Sequence, residues 1–173
     1  MHRRTWGTSL LLSLLVLAGA MPAYARSATE PGSGQTSARA ASVSAPTKFE
    51  SDLLMYINNR RAKIGCPKLV YNSYLAYAAR QHTSRMVAAQ QVSHQLARES
   101  SLADRITAAG YTPWRLLAEN LAEGTRTPWS TYALWMNSPG HKANIQNCSL
   151  RNAGLGVAWV NDVSWDTIDF GRQ

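Results

Sequence analysis

The end of the chain carries the pattern that decides the fold: residues 153–170 read AGLGVAWVNDVSWDTIDF. Two runs rich in valine and aromatic residues, 153–160 and 163–170, are joined by Asn161-Asp162. Strand-like runs separated by two turn-forming residues predict a β-hairpin. The glycines of the first run predict either a bulge or the close approach of another backbone.

Upstream of this hairpin, the sequence has helical periodicity and the signals that begin and end helices. Thr47 and Glu50 match a capping box, whereas Thr127-Pro128 and Ser138-Pro139 each place a proline directly after an N-cap residue. The predicted elements are helices at 47–65, 73–91, 101–110, 127–136 and 138–144 and a short strand at 68–71. Helices that precede a terminal antiparallel hairpin predict an α+β fold in which helices cover a small sheet.

The first 25 residues have the parts of a secretory signal peptide. Arg3 and Arg4 supply a positive start, residues 10–20 are almost entirely apolar, and Ala23-Tyr24-Ala25 is a cleavage motif. Cleavage at this motif leaves Arg26 as the mature N-terminus. The alternative is an uncleaved membrane anchor, because the uncharged stretch that ends at the motif is roughly long enough to span a bilayer.

The segment after the cleavage motif, residues 26–46, is rich in Ser, Ala, Thr, Gly and Pro. Such a composition cannot bury enough apolar area to offset its conformational entropy, so it predicts a flexible linker. The sequence therefore divides into a signal peptide at 1–25, a linker at 26–46 and one folded domain at 47–173.

Two cysteines, Cys66 and Cys148, lie in the predicted mature domain. Export places them in an oxidising compartment, so a disulfide between them is expected, with two buried free thiols as the alternative. The bond would close a loop of about 80 residues and contribute roughly 4 kcal/mol in the chain-entropy account.

Composition and motifs exclude several functional classes. The 173 residues carry 18 Lys and Arg against 10 Asp and Glu, a net charge of +8, but the basic residues are scattered. Nucleic acid is therefore not an expected partner, and adjacent Arg60-Arg61 indicates one solvated and one structural arginine. The sequence has no Gly-x-Ser-x-Gly elbow, His-Glu-x-x-His helix or phosphate-binding glycine loop, so no established catalytic motif supports an enzyme.

Ordered motifs across the domain resemble one known family. They are Gly-Tyr at 110–111, Glu-Asn-Leu-Ala at 119–122, Trp-Met-Asn-Ser-Pro-Gly-His-Lys-Ala-Asn-Ile at 135–145, Gly-Leu-Gly-Val-Ala at 154–158 and Asp-Phe-Gly at 169–171. Together they resemble the CAP superfamily, which comprises cysteine-rich secretory protein, antigen 5 and pathogenesis-related 1 domains, in its bacterial, SCP-type branch. The resemblance implies an α-β-α sandwich with a small central antiparallel sheet between helical layers and a groove on one face.

The resemblance also implies where a site would lie. In eukaryotic members, two histidines and two acidic residues line the groove, and the histidines bind divalent metal. His94 matches the first histidine and Glu119 matches one acidic residue, whereas Ser138 stands near the second acid and Trp165 near the second histidine. The tetrad is therefore incomplete, and His141 is a candidate replacement. Any metal site, such as one for zinc held by His94 and His141, is expected to be weak.

Each of these residues also has a structural interpretation. His82 lies on the apolar face of the second helix, which favours a hydrogen-bonded core histidine over a ligand. A capping role is the alternative for His94, and the first turn of a helix is the expected place of His141. Glu119 is expected either to serve the groove or to tie a loop through backbone N–H groups, and Ser138 to cap a helix. The tryptophans indicate core and hairpin packing rather than a carbohydrate platform.

Three functions remain open. The first is a secreted, extracellular or periplasmic binding module, monomeric, whose groove holds a lipid, a peptide or a cell-wall ligand. The second is a hydrolase that uses His94, Glu119 and His141, with metal assistance. The third is an interaction or signalling protein that acts through its surface.

Overall fold

A computed structural model of the chain describes residues 45–173. The predicted signal peptide and residues 26–44 of the predicted linker lie outside the described residues. Within residues 45–173, the helices are all too short or too polar to cross a membrane.

The described residues alternate short helices and strands, close to the pattern that the sequence predicts. The helices are α1 (Lys48–Lys63), α2 (Ser73–Ala89), α3 (Leu102–Ala109), α4 (Pro128–Asn137) and α5 (Pro139–Gln146). The strands are β1 (Val70–Tyr71), β2 (Leu116–Thr125), β3 (Asn152–Val160) and β4 (Val163–Arg172).

The sheet has the strand order β1-β3-β4-β2. The predicted hairpin is confirmed: β3 and β4 pair antiparallel and close at Val160 and Val163. The turn residues Asn161 and Asp162 have φ values of 50° and 61°, as the two-residue turn that matches strand twist requires. The sheet is antiparallel apart from β1, which runs parallel to β3.

Helices cover both faces of this sheet, which gives the α-β-α layering that the resemblance implies. One face packs against α2, on which α3 lies, and the other packs against α1, α4 and α5. The larger core lies on the second side and includes the fully buried Leu53, Trp135 and Phe170. Burying each such side chain contributes roughly 1.5–3 kcal/mol.

Close approach, rather than a bulge, explains the glycines of β3. A Cβ at Gly154 would lie 1.9 Å from the backbone nitrogen of Ala76, and one at Gly156 would lie 2.4 Å from that of Arg80. Both contacts are with the backbone of α2, which cannot move aside as a side chain can. Glycine at these two positions therefore allows α2 to lie directly on the sheet.

Strand β2 is the element that the sequence did not predict. Residues 116–125 pair antiparallel with β4 along their length, and Glu119 and Asn120 lie in mid-strand rather than in a loop. Residues 119–122 are all buried because helices cover both faces, so the strand lacks the alternation of apolar and polar residues that marks a half-exposed strand.

The capping predictions are confirmed at α1 but not at α5. At α1, Thr47 and Glu50 form the reciprocal pair of hydrogen bonds. Ser138 takes the N-cap position of α5, but its side chain makes no capping hydrogen bond there. The residue ends α4 and begins α5 at once, and its backbone N–H bonds to the carbonyl of Trp135 in α4.

A disulfide between Cys66 and Cys148 closes one end of the domain, as predicted, with their Cα atoms 4.9 Å apart. Beside it, the fully buried Arg61 is the structural arginine of its pair. Its guanidinium donates at 2.9 Å to each of four carbonyls, those of Pro67, Ile145, Asn147 and Leu150. The disulfide and Arg61 thus fix the same two segments to α1.

Candidate functional site

His94 and Glu119 are brought together at the edge of the sheet. His94 lies in the loop between α2 and α3, and its Nδ1 is 2.7 Å from Glu119 Oε1. The two side chains differ sharply in exposure, 63% for His94 and 1% for Glu119. A buried carboxylate therefore holds an imidazole whose ring stands largely in solvent.

Arg105 fixes both members of this pair. Its Nη2 donates to Glu119 Oε2 at 2.6 Å, and its Nη1 donates to the backbone carbonyl of His94 at 3.0 Å. The expectation that Glu119 ties a loop through backbone N–H groups is wrong, because its two oxygens take the imidazole and the guanidinium. Breaking such a buried ion pair by removing one partner typically costs about 3–5 kcal/mol.

The buried polar cluster continues under α2. His82 is fully buried, and its ring nitrogens lie 2.9 Å from Glu99 Oε1 and 2.9 Å from the carbonyl of Ser93. The prediction of a hydrogen-bonded core histidine is confirmed. Burial tends to raise the pKa of Glu99, but hydrogen bonds from His82, the Leu96 N–H and Arg85 outweigh it and hold that pKa below its usual value.

Asp169 adds a second carboxyl group beside Glu119. It is the register partner of Glu119 in β4 and is fully buried. Neither of its oxygens accepts a hydrogen bond from a donor in the described part of the chain. Burial, and then the charge of Glu119, raise the pKa of Asp169 well above its usual value. The protonated form is therefore favoured, and it can donate its proton toward Glu119.

His141 approaches the same strand from the other helical layer. It lies in the first turn of α5, as expected, and its backbone carbonyl accepts from Asn120 Nδ2 at 3.0 Å. Asn144 Nδ2 donates to Asn120 Oδ1 at 2.9 Å and to the carbonyl of Glu119 at 3.3 Å. These amides fix α5 to β2.

The two imidazoles differ in charge. The hydrogen bond to Glu119 raises the pKa of His94, against an opposing effect of burial. Burial lowers the pKa of His141, and the charge of His94 lowers it further. The Nδ1 of His141 is buried without a hydrogen-bond partner in residues 45–173. The pair therefore combines an imidazole that favours its cationic form with one that favours its neutral form.

Side chains from α4 and α5 cover the outer edge of β2. The indole Nε1 of the buried Trp135 donates to the carbonyl of Leu121 at 2.8 Å. Asn144 does the same at the carbonyl of Glu119, two residues away along the strand. Backbone acceptors that another strand could have used are thus taken by side chains of the same chain.

No hydrogen bond within residues 45–173 joins Ser138 to His94, Glu119 or His141. It is half-buried at the junction of α4 and α5. Trp165, the other position where the chain departs from the eukaryotic pattern, is buried and packs with Met86, Leu96 and Leu121. Ser138 thus lies at a helix junction, whereas Trp165 contributes apolar packing on the α2 side of the sheet.

The site does not have the donor set of a three-ligand metal centre. In the described residues, no group of three or more His, Cys, Asp or Glu side chains is arranged to hold a metal ion. The carboxylate of Glu119 is already engaged by His94 and Arg105. Two imidazoles remain, one fewer than the three protein ligands usual in catalytic zinc sites.

Two cavities in the described part of the chain lie beside the site rather than over it. One of about 480 Å³ is lined by Arg85, Leu96 and Glu99 among others, and His94, Glu119 and His141 do not line it. A second, of about 220 Å³, lies between α2 and α3 and reaches Arg105. The first cavity thus reaches the buried cluster at Glu99 and the second reaches it at Arg105.

A separate buried carboxyl group lies under α4. Asp166 Oδ2 is within 3.0 Å of the hydroxyls of Ser164 and Thr131, and the hydroxyl of Thr125 is 3.3 Å away. Burial raises the pKa of Asp166 to about 6, although these hydroxyl groups oppose the shift. Its other oxygen has no hydrogen-bond partner within residues 45–173.

Arg105, Asp169 and Asp166 were not predicted as site residues from the sequence, although each carries a signal there. Arg105 takes an apolar-face position of α3, with the spacing of Leu102, Ile106 and Ala109. Asp166 follows Trp165, and Asp169 lies between Ile168 and Phe170, in a predicted strand of the hairpin. Charged residues at positions where periodicity demands apolar ones indicate buried partners.

Comparison with known proteins supports the fold and the family. Residues 54–165 match the sequence profile of the Cysteine-rich secretory protein family, CAP. The uncharacterised protein YkwD of Bacillus subtilis is 30% identical over 129 residues, which is 75% of this chain and 49% of YkwD. An uncharacterised membrane protein of the same organism, YlbC, is 29% identical over 111 residues, 64% of this chain and 32% of YlbC. The chain thus spans at most about half the length of these relatives.

Solved structures share the architecture. An outer surface protein from Borrelia burgdorferi aligns with a TM-score of 0.68 at 22% identity, covering 75% of this chain and 96% of that one. An extracellular protein containing a SCP domain from Bacillus anthracis aligns with a TM-score of 0.63 at 24% identity, covering 75% and 45%. These likenesses establish the fold, and the profile match establishes the family. The chain, with its helix-covered sheet and its histidine–glutamate pair at the sheet edge, belongs to the CAP, or cysteine-rich secretory protein, family.

Proposed function

We propose that this chain is an exported CAP-domain protein that binds a ligand at the edge of its sheet, through His94 and His141 on either side of β2. The ligand class is a peptide, lipid or cell-wall fragment that presents a carboxylate or phosphate. The observation that supports this most is the exposed imidazole of His94, fixed by the buried carboxylate of Glu119 at 2.7 Å.

The arrangement favours binding because its donors are fixed before a ligand arrives. Arg105 holds both the Glu119 carboxylate and the backbone of His94, so little side-chain freedom is lost when His94 contacts a ligand. The cationic form of His94 favours an anionic acceptor, since charge-assisted hydrogen bonds are roughly twice as strong as neutral ones.

Calorimetric titration with muramyl dipeptide, a soluble cell-wall fragment with one free carboxylate, tests this proposal. We expect saturable binding by the wild-type domain, weakened at least tenfold in His94→Gln. Gln91→Ala, an exposed change in the same loop, is the matched control and should bind as the wild type does. Equal binding by His94→Gln and the wild type would place the ligand elsewhere.

A hydrolase is the second candidate, and the same pair favours it. A carboxylate that orients one nitrogen of an imidazole leaves the other free to act as a general base, as in hydrolytic triads. Here Glu119 engages Nδ1 of His94, so when the imidazole is neutral its Nε2 would take a proton from water and the carboxylate would stabilise the imidazolium that forms. Release of a cleaved product in mass spectrometry, lost in His94→Gln, would select this function over binding alone.

Export is part of the proposal and has its own test. The Arg3-Arg4 start, the apolar core and the cleavage motif support it, as does the extracellular description of the Bacillus anthracis relative. N-terminal sequencing of protein secreted by a host cell should begin at Arg26. Secreted material that still carried residues 1–25 would contradict it.

A further inference from the structure

Three aromatic rings, one exposed and two half-buried, form a cluster on the outer face of α1 and α4. The ring of Tyr56 lies 5.3 Å from that of Trp129 and 6.0 Å from that of Tyr132, and the latter two are 5.4 Å apart. Trp129 is 56% exposed. This surface belongs to the α1–α4–α5 layer, whereas the loop of His94 follows α2 in the opposite layer.

The packing of α4 against the core does not depend on Trp129. Trp135, six positions later on the same helix, is fully buried and provides the core contact of α4. A single exposed aromatic side chain needs no explanation, but Trp129 lies against the half-buried rings of Tyr56 and Tyr132, and the three together form a continuous apolar surface that can bind something. The expectation that the tryptophans pack only in the core and the hairpin is therefore wrong for Trp129.

Basic and amide side chains surround these rings. A cavity of about 220 Å³ is lined by Tyr56, Trp129 and Tyr132 together with Asn59, Arg60 and Lys63. The lining contains two cations and no carboxylate. With its amide oxygen turned toward α1, Gln146 accepts from Arg60 Nε at 2.7 Å, which holds the guanidinium at the rim of the cavity.

We propose that this aromatic cluster is a second binding site, for an acidic polysaccharide. The faces of a sugar ring carry C–H groups with partial positive charge, which are attracted to the negative face of an aromatic ring. Asn59 can bond to hydroxyl groups, whereas Arg60 and Lys63 bind the carboxylate or sulfate of a neighbouring sugar.

The size and shape of the cavity favour a polysaccharide over a lipid. Sites that enclose a whole small ligand usually measure about 300–1,000 Å³ and bury most of its surface. This cavity is smaller and has polar residues on its rim, so it fits a sugar ring of a longer chain that continues across the surface. An acyl chain would need a longer apolar enclosure.

The test compares two oligosaccharides of equal length by calorimetry at low salt. Hyaluronan tetrasaccharide carries glucuronate carboxylates, and chitotetraose is its uncharged counterpart. We expect wild-type protein to bind hyaluronan tetrasaccharide at least fivefold more tightly than chitotetraose. Trp129→Ala should weaken both by at least tenfold, whereas Lys63→Gln should weaken only the hyaluronan complex. Trp159→Ala, which removes a tryptophan that is 51% exposed on the hairpin, is the matched control and should bind as the wild type does.

Three results would overturn the proposal. The first is the absence of binding by either oligosaccharide to the wild-type protein. The second is unchanged binding by Trp129→Ala, and the third is equal affinity for the charged and uncharged oligosaccharides. Because Trp129 and Lys63 are exposed, both variants should unfold at the wild-type temperature, and His94→Gln should bind the oligosaccharides normally. That last variant separates this site from the one at β2.

Discussion

Glu119 and Asp169 are register partners in β2 and β4, so their carboxyl groups lie on the same face of the sheet, both buried. Two buried carboxyl groups this close cannot both ionise cheaply, so one keeps its proton. Arg105 contacts Glu119 at 2.6 Å, which assigns the charge to Glu119 and the proton to Asp169. The face below His94 thus carries one negative charge rather than two.

This assignment predicts opposite outcomes for two amide substitutions. Asp169→Asn replaces a protonated acid by a group of the same shape and should change the free energy of unfolding by less than about 1.5 kcal/mol. Glu119→Gln removes the partner of a buried guanidinium and should cost about 3–5 kcal/mol. Urea unfolding at neutral pH measures both, and equal losses in the two variants would refute the assignment.

The two imidazoles should titrate in a fixed order. We expect NMR titration to place the pKa of His94 above 6.5 and that of His141 below it. His94→Ala should raise the pKa of His141 because it removes a neighbouring positive charge, whereas Gln91→Ala should leave it unchanged. The His94 pair stabilises the fold fully below pH 6.5, and that contribution is lost as pH rises through the higher folded-state pKa. The reverse order of pKa values would contradict the site geometry.

Asp166 should make stability fall as pH rises. Its folded-state pKa of about 6 lies above the ordinary value of 3.8, so the folded state holds the proton more tightly than the unfolded state. Stability from this group is present below pH 3.8 and is lost as pH rises through about 6, by roughly 3 kcal/mol in total. Urea unfolding of the wild type and of Asp166→Asn, at pH 4 and pH 7.5, should show the variant gaining relative stability at the higher pH. A difference that does not change with pH would contradict this.

The disulfide should contribute a large part of the stability. It joins residues separated by 82 positions, and the chain-entropy account gives roughly 4 kcal/mol for such a loop. In urea unfolding, the double variant Cys66→Ala/Cys148→Ala should have a free energy of unfolding that is lower by kilocalories per mole rather than by tenths of a kilocalorie. Thiol labelling of the unreduced wild-type protein, followed by mass measurement, should find no free thiol. A loss of unfolding free energy below about 1 kcal/mol in the double variant would show that the loop is restrained by other contacts.

Zinc binding, if measured by calorimetry, should be weak and should fail in His94→Ala. Glu119 is engaged by Arg105, so two imidazoles are the ligands that remain at this edge. Tight zinc binding that persists in His94→Ala would show that other residues hold the metal.

The local signals of the sequence predicted the helices and the hairpin well, because caps and two-residue turns act over a few residues. Strand β2 was missed because its burial comes from helices on both faces, which no local pattern reveals. The family resemblance was enough to predict that His94 and Glu119 belong to one site. The roles of Arg105 and Asp169 were not, because they depend on which charges meet in the folded interior.

The covered edge of β2 also bears on how copies of this domain meet. Trp135 and Asn144 occupy carbonyls that an incoming strand would need, and the opposite edge strand, β1, has only two residues. A long unpaired edge is what allows sheets to join and to nucleate fibrils. At β2 that edge is blocked by side chains at residues 119 and 121, so a strand from a second copy should add beside β3 instead, where residues 154–160 extend past the two residues of β1 without a paired strand on that side.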